Sequence, residues 1–309
     1  MKARSPKRLA ASKPAAATIV SSHREPSASS IAQVGRVGAL TLEYVQQDGR
    51  TVFGRTSCRT PWHLLPPIYL DETGSAYTLL VNPSGGLVGG DRLSIDLSVG
   101  SDSHVLISTP SANRVYRSPA KPSVQAIRMH VGPRAVLEWL PEHAIPFAGS
   151  RLRQSIDVSL APGATVLLWD AVASGRIAKG ERWAFAELTN RIRITTSSGT
   201  TVAEQYAIGC KSRKQSLGMV QAWNYLASLF VITDSRDSEF WNSLESRVSD
   251  ILATHYGGVL GGVSQPSASG LVVKLVAASA PVLTDAFNDV WAAARRALWD
   301  LPPAILRKY

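Results

Sequence analysis

An internal repeat constrains this chain more than any other feature. The stretch from Asp96 to Ile107 aligns without gaps on the stretch from Asp157 to Leu168. Between them, His130 to Leu137 reads as the same unit with one residue missing. Arg193 to Thr195, continued by Gly199 to Val202, reads as a looser fourth copy. Each unit is an alternating strand, a short Gly/Pro/Ser turn and a second apolar strand. It recurs about every 30 residues, a period that belongs to stacked units sharing one continuous core. A lone strand pair is marginal in water, and stacking buries its apolar face. The expected fold is mainly β, a stacked β-strand superhelix.

A glycine-rich run precedes the repeat: Asn82-Pro83-Ser84-Gly85-Gly86-Leu87-Val88-Gly89-Gly90-Asp91. Glycine tolerates positive φ, so Gly85, Gly86, Gly89 and Gly90 permit tight reversals or close approach of another backbone. Leu93, Ile95, Leu97 and Val99 then alternate with Arg92, Ser94, Asp96 and Ser98, the pattern of a half-buried strand. A phosphate loop would need Lys-Ser/Thr and a helix after its last glycine; here Asp91 and a strand follow, and G-x-G-x-x-G is not matched. The run reads as a turn, with Asp91 at its exit.

The remaining elements fall around this centre. Residues 1–33 are rich in Ala, Ser, Pro and Lys and read as a disordered basic tail. Val34–Val45, Thr51–Cys58 and Ala76–Asn82 read as strands, with an extended, Pro-punctuated segment from Arg59 to Tyr69. Residues 34–309 read as one domain: β repeats over 34–210, then a helix-containing part over 211–309. In that part, two or three helices are expected. Ser216–Val231 gives a weak helical signal. Asp234–Tyr256 gives a stronger one, with Asp234 or Ser235 as N-cap and an apolar stripe through Trp241, Leu244 and Val248. Pro281–Leu301 carries Phe287, Val290, Trp291, Ala294 and Leu298 on one stripe and is stopped by Pro302-Pro303. Leu271–Val276 reads as a short buried strand.

Composition excludes several classes. The two cysteines, Cys58 and Cys210, cannot build a disulfide framework or a C-x-x-C zinc site, and fit a reducing cytoplasm. No apolar run has the length of a membrane span. Much of the +10 formal charge sits in the first 24 residues. The six histidines show no H-x-x-x-H spacing, and no G-x-S-x-G elbow is present. The acids carry more information. Asp91, Glu138, Asp170 and Glu204 all border or interrupt apolar strands, where a carboxylate needs a partner. They either face solvent, pair with Arg114, Arg117, Arg151 or Arg176, or line the inside of a β scaffold. On the residues alone, a stacked-β hydrolase or lyase using paired carboxylates on acidic polysaccharide stays open, as does a nucleic-acid binder using the basic tail.

The glycine run through Asp91, then Thr109-Pro110, Tyr116-Arg117-Ser118, Leu137-Glu138-Trp139-Leu140-Pro141-Glu142, and Gly175-Arg176 through Ala178 to Gly180-Glu181 together resemble the urease accessory protein UreD (UreH) family. The likeness spans Val34 to Pro303. It implies a non-enzymatic, cytoplasmic maturation factor with an extended β superhelix and helices. Such a factor binds apo-urease and is joined by UreF and the GTPase UreG for nickel delivery, with neither a membrane nor a nucleic acid as partner. It implies no resident cofactor, with nickel bound transiently at most. By motif position, Asp91, Asp170 and Glu204 match acids on an internal metal path, and Asn113 and Arg114 lie in a segment approaching it. Trp241 and Trp299, on the late helices, are candidate contacts for UreF. The chain departs from the pattern at Ala148, where the family often carries an acid.

Overall fold

Strands that stack in parallel, in register, place equivalent side chains above one another, so a repeat becomes a set of ladders. The computed structural model describes residues 37–209, 223–302 and Leu306. In chain order the strands are β1 (Val37–Gln47), β2 (Arg50–Arg59), β3 (His63–Leu64), β4 (Ala76–Val81), β5 (Arg92–Val99), β6 (His104–Ser108), β7 (Asn113–Val115), β8 (Ser123–Val131) and β9 (Val136–Leu140). They continue with β10 (Ala144–Pro146), β11 (Arg151–Leu160), β12 (Thr165–Ala173), β13 (Glu187–Thr195), β14 (Thr201–Gly209), β15 (Tyr225–Thr233), β16 (Val259–Ser264) and β17 (Gly270–Ala277). Helix α1 (Ser238–Thr254) lies between β15 and β16, and α2 (Ala280–Trp299) follows β17.

Two sheets face each other. The first is seven-stranded, ordered β14-β13-β11-β8-β5-β1-β2; the second runs β16-β17-β15-β12-β9-β6-β4-β3, with β7 and β10 attached. The two strands of a repeat unit do not pair with one another. β5, β8 and β11 lie side by side in the first sheet, and β6, β9 and β12 lie side by side in the second, all parallel. Each turn is therefore a corner between sheets, and each unit is one rung of a superhelix. The corners repeat the same backbone bond: Ser103 N to Gly100 O, Ala135 N to Gly132 O and Ala164 N to Ala161 O.

Two details of the repeat are corrected by the register. His130 pairs with Ser98 and Val136 with His104, so the middle unit lacks no residue. The fourth copy is a true hairpin, because β13 and β14 are antiparallel neighbours within the first sheet. The alternation in β5 holds: Leu93, Ile95, Leu97 and Val99 are buried. With Ile127, Met129, Ile156, Val158, Ile192 and Ile194 they fill the space between the sheets.

A second core lies on the other face of the second sheet, where α1 buries Trp241, Leu244, Val248 and Leu252, and α2 buries Leu283, Phe287, Val290, Trp291 and Leu298. The N-cap of α1 is Asp237, whose carboxylate accepts from Phe240 N at 2.9 Å, rather than Asp234 or Ser235. Asp234 instead accepts from Gly163 N and Ser197 Oγ. The helix expected over Ser216–Val231 is overturned where it is described: Tyr225–Thr233 is a strand between β12 and β17, buried on both faces. A continuous apolar run does not separate strand from helix by period alone. The earlier part of that segment lies outside the described residues, as do residues 1–33.

Glu138 ties α2 to the rungs. It is wholly buried on the outer face of β9, and accepts from His104 Nε2 at 2.7 Å, Trp291 Nε1 at 2.6 Å and Arg295 Nη1. Burial alone would raise its pKa. The bond and charge of His104, then the Arg295 charge and the Trp291 N–H, reverse that and hold it below the usual carboxylate range. The stability it contributes is present above that range and is lost as the pH falls through the lowered pKa. Arg295→Met strands the carboxylate in the core and is expected to remove about 3–5 kcal/mol of stability, measured by urea unfolding at neutral pH. A loss no larger than that of a surface substitution would show that the cluster does not hold the helix.

Candidate functional site

The inner face of the first sheet is largely apolar, and a line of polar side chains crosses it. Gln125 (β8), Gln154 (β11), Asn190 (β13) and Tyr206 (β14) are successive register partners, one from each strand. All point between the sheets, beside inward apolar neighbours such as Ile127, Ile156, Ile192 and Val202. Across the gap, Asp170 projects inward from β12, in the series Val166, Leu168, Asp170, Val172.

Gln154, Asn190, Tyr206 and Asp170 bond to one another. Gln154 Nε2 donates to Asp170 Oδ1 at 2.8 Å, Asn190 Nδ2 to Asp170 Oδ2 at 2.7 Å, and the Tyr206 hydroxyl to Oδ2 at 3.3 Å. Gln154 Nε2 also reaches Asn190 Oδ1 at 3.2 Å. Among the described residues Asp170 has no cation on it, only neutral donors. Burial first, and the Glu204 charge as well, push its pKa up to about 6 against the hydrogen bonds that lower it. Burial and the Asp170 charge push the Tyr206 phenol well up in turn.

The line continues in both directions. Toward the glycine turn, a cavity of about 120 Å³ is lined by Asp170, Gln154, Gln125, Asn113, Arg114 and the Gly85-Gly86 backbone. It has room for several waters at roughly 10–15 Å³ each. Asn113 Nδ2 donates to Gln125 Oε1 at 3.3 Å, and the exposed Arg114 stands at the rim. In the other direction Ser228, the register partner of Asp170, donates to both oxygens of Glu204 at 2.9 and 3.1 Å. Lys274 Nζ lies 3.0 Å from Glu204 Oε2. Three hydrogen-bonded polar groups, set side by side by strand register, thus cross a largely apolar interior from the cavity to Glu204. Among the described residues no group of three His, Cys, Asp or Glu side chains is placed to hold a metal ion.

The sequence motifs gather at the cavity end. Gly86 has φ +147°, and a Cβ there would stand 2.3 Å from Arg114 O; a Cβ on Gly89 would overlap Ser118 Oγ. The glycines therefore let this turn pack on the segment from Asn113 to Ser118. Leu87 N donates to Arg114 O and Tyr116 N to Leu87 O, while the Tyr116 hydroxyl reaches Gly85 O at 3.2 Å. Tyr116 meets Phe147 edge-on, and the Arg176 guanidinium lies over the other side of that loop, 4.3 Å from the Phe147 centroid. Arg176 pairs with Glu181, which also accepts from Ala148 N. Arg117 sits exposed beside Gly149.

The four acids fall in different places. Asp91 is an element of the turn: buried, it accepts from Val88 N at 2.8 Å, and it lies outside the polar line. Asp170 and Glu204 lie on that line. Glu138 faces the opposite side of the second sheet, away from the cavity. Glu138 and Glu204 instead pair with Arg295 and Lys274 of the C-terminal third.

The family profile described as UreD urease accessory protein matches residues 36–308. The chain belongs to that family. Relatives named urease accessory protein UreD include one from Albidiferax ferrireducens, 31% identical over 264 residues (84% of this chain, 94% of the relative), and one from Deinococcus radiodurans, 31% identical over 275 residues (88% and 95%). A protein named urease accessory protein UreD 2, from Streptomyces griseus, is 31% identical over 280 residues (88% and 94%).

Of the two tryptophans expected at a partner surface, Trp241 serves packing within the chain. Trp241 is 2% exposed and donates to Ser269 Oγ at 2.7 Å; it belongs to the buried stripe of α1. Trp299 is half-buried at the end of α2, against the His104 ring. Sequence reasoning missed Gln125, Gln154, Asn190, Tyr206, Ser228 and Lys274. A signal for the first three was present: each interrupts an inward series of its strand that is otherwise mostly apolar.

Asp170 gives a pH test. Because its pKa is raised, the folded chain holds a proton between the usual carboxylate range and about 6 that the unfolded chain has lost. Its contribution therefore falls as the pH rises through that window. Asp170→Asn is expected to flatten this slope and to add about 1–3 kcal/mol at neutral pH, read from urea unfolding at several pH values. An unaltered slope would mean that Asp170 is not the buried ionisable group of the line.

Proposed function

We propose that the chain is a urease maturation factor. It acts in the cytoplasm as a scaffold that binds apo-urease, recruits UreF and the GTPase UreG, and conducts nickel along the inter-sheet polar line toward the urease metallocentre. It makes and breaks no covalent bond itself. The observation that carries this reading is a row of three hydrogen-bonded groups between two apolar faces: Asn113 with Gln125, then Gln154, Asp170, Asn190 and Tyr206, then Ser228 with Glu204. Strand register sets the groups side by side, through Gln125 with Gln154 and Asp170 with Ser228. Nothing in the packing of a β superhelix calls for it, and buried polar groups of this kind are usually replaceable by apolar ones without loss of stability.

The chemistry suits a passing cation. Amide and hydroxyl oxygens with single carboxylates are weak, oxygen-based ligands, and nickel(II) accepts such donors together with water. A conduit needs sites that attract enough to admit the ion and too weakly to keep it. Isolated carboxylates separated by neutral amides meet that need better than a closed cluster of imidazoles or thiolates. Asp170 is ionised above about pH 6, so it attracts a cation at neutral pH.

Gln154→Leu keeps the volume of the side chain and breaks the line at its centre. With Glu204→Gln it is expected to leave folding and capture of UreF and apo-urease intact. Both should lower the nickel content of co-expressed urease several-fold, measured by elemental analysis of the purified enzyme. Full nickel content with both variants would sink the conduit and leave the scaffold; failure of the unaltered chain to capture any urease component would sink both.

A further inference from the structure

The two facing sheets differ in width, and the difference sets where the polar line meets solvent. The first sheet stops at β14. The second continues past β12 through β15 and β17 to β16. Directly paired residues share a face, so Asp170, Ser228, Lys274 and Gly262 form one row across these strands, on the inner side. Asp170 bonds groups on the first sheet. Lys274 lies further along the row, with its side chain 62% exposed. Its ammonium turns back and rests 3.0 Å from Glu204, whose side chain is only 11% exposed. Glu204 is the inward acid on the last strand of the first sheet, and the ammonium sits on its outer side.

We infer that Lys274 is a tethered cation that occupies the outer carboxylate of the line and gates exchange of a divalent ion with the surroundings. The inference rests on reading the line as a cation path, and adds a control element to it. A lysine ammonium is a compact charge on a flexible stem. Ion pairs this open to water are weak, so an arriving ion can displace it. While in place, its charge opposes a second positive charge at Glu204, and when displaced it remains close enough to return and expel the ion. Among the described residues there is space for the displaced stem, because the next residue in the row is Gly262, where a Cβ would meet nothing within 4 Å. The lysine thus keeps the exit from becoming a trap.

The test uses the full chain in complex with its accessory partners and nickel(II) alone as the probe. Removing one unit charge beside the site, in Lys274→Met or in Lys274→Gln as a second variant, is expected to tighten nickel binding about tenfold and to slow its release to a chelator. Lys274→Arg should behave as the unaltered chain does. Adding Glu204→Gln to Lys274→Met should abolish the gain. Unchanged or weaker binding in both neutral variants, or a gain that survives the loss of Glu204, would overturn the gate. If Gln154→Leu lowers urease nickel while the Lys274 variants bind normally, the path stands and the gate falls. If Gln154→Leu and Glu204→Gln both leave urease nickel unaltered, the path falls and takes the gate with it.

Discussion

Parallel, in-register stacking of β5, β8, β11 and β13 is the constraint on which everything else depends. In such a stack a residue is chosen once and then repeated in space. Apolar positions become the continuous core, and the outer positions become ladders such as Asp96 with Arg128 and Asp157 with Arg191. The same geometry turns Gln125, Gln154 and Asn190 into a single polar line, although they are far apart in sequence. No one of these amides would form a site. Their register does.

The second sheet carries two buried carboxylates on opposite faces, and they show how partners decide the outcome. Glu138 meets an arginine, a histidine and an indole N–H, and its charged form is favoured despite complete burial. Asp170 meets only neutral donors, and its charged form is penalised. The first arrangement locks a helix in place. The second leaves an anion under-compensated, and this is the electrostatic condition for attracting a mobile cation. Had an arginine reached Asp170, its charge would be balanced in place, as that of Glu138 is.

Much of the architecture was legible in the residues. The alternation in Leu93–Val99 and the gapless match of Asp96–Ile107 to Asp157–Leu168 reveal a strand and a stack directly, because both depend on local period. The corner between sheets was not legible, since a Gly/Pro turn serves a hairpin as well as a change of sheet. β15 was hidden because a strand buried on both faces loses its alternation, and Leu226–Ile232 then mimics a helical stripe. Asp170 and Glu204 stand out as acids in apolar strands. Their true neighbours come from β11, β13, β15 and β17, which only long-range register brings together. Trp241 shows the opposite failure: a large ring on a helix is as compatible with a surface as with a core, and the Ser269 contact decides it.

The rungs also divide the chain by tolerance to change in length. Inserting one residue within β11 would turn Gln154 outward and send its apolar neighbours the same way, breaking the core and the line at one stroke. An insertion at a corner such as Pro162-Gly163 leaves both faces in phase. Lineages bearing this fold should therefore differ in the lengths of their corners, where new surface is acquired freely, while the spans between them stay fixed to the residue.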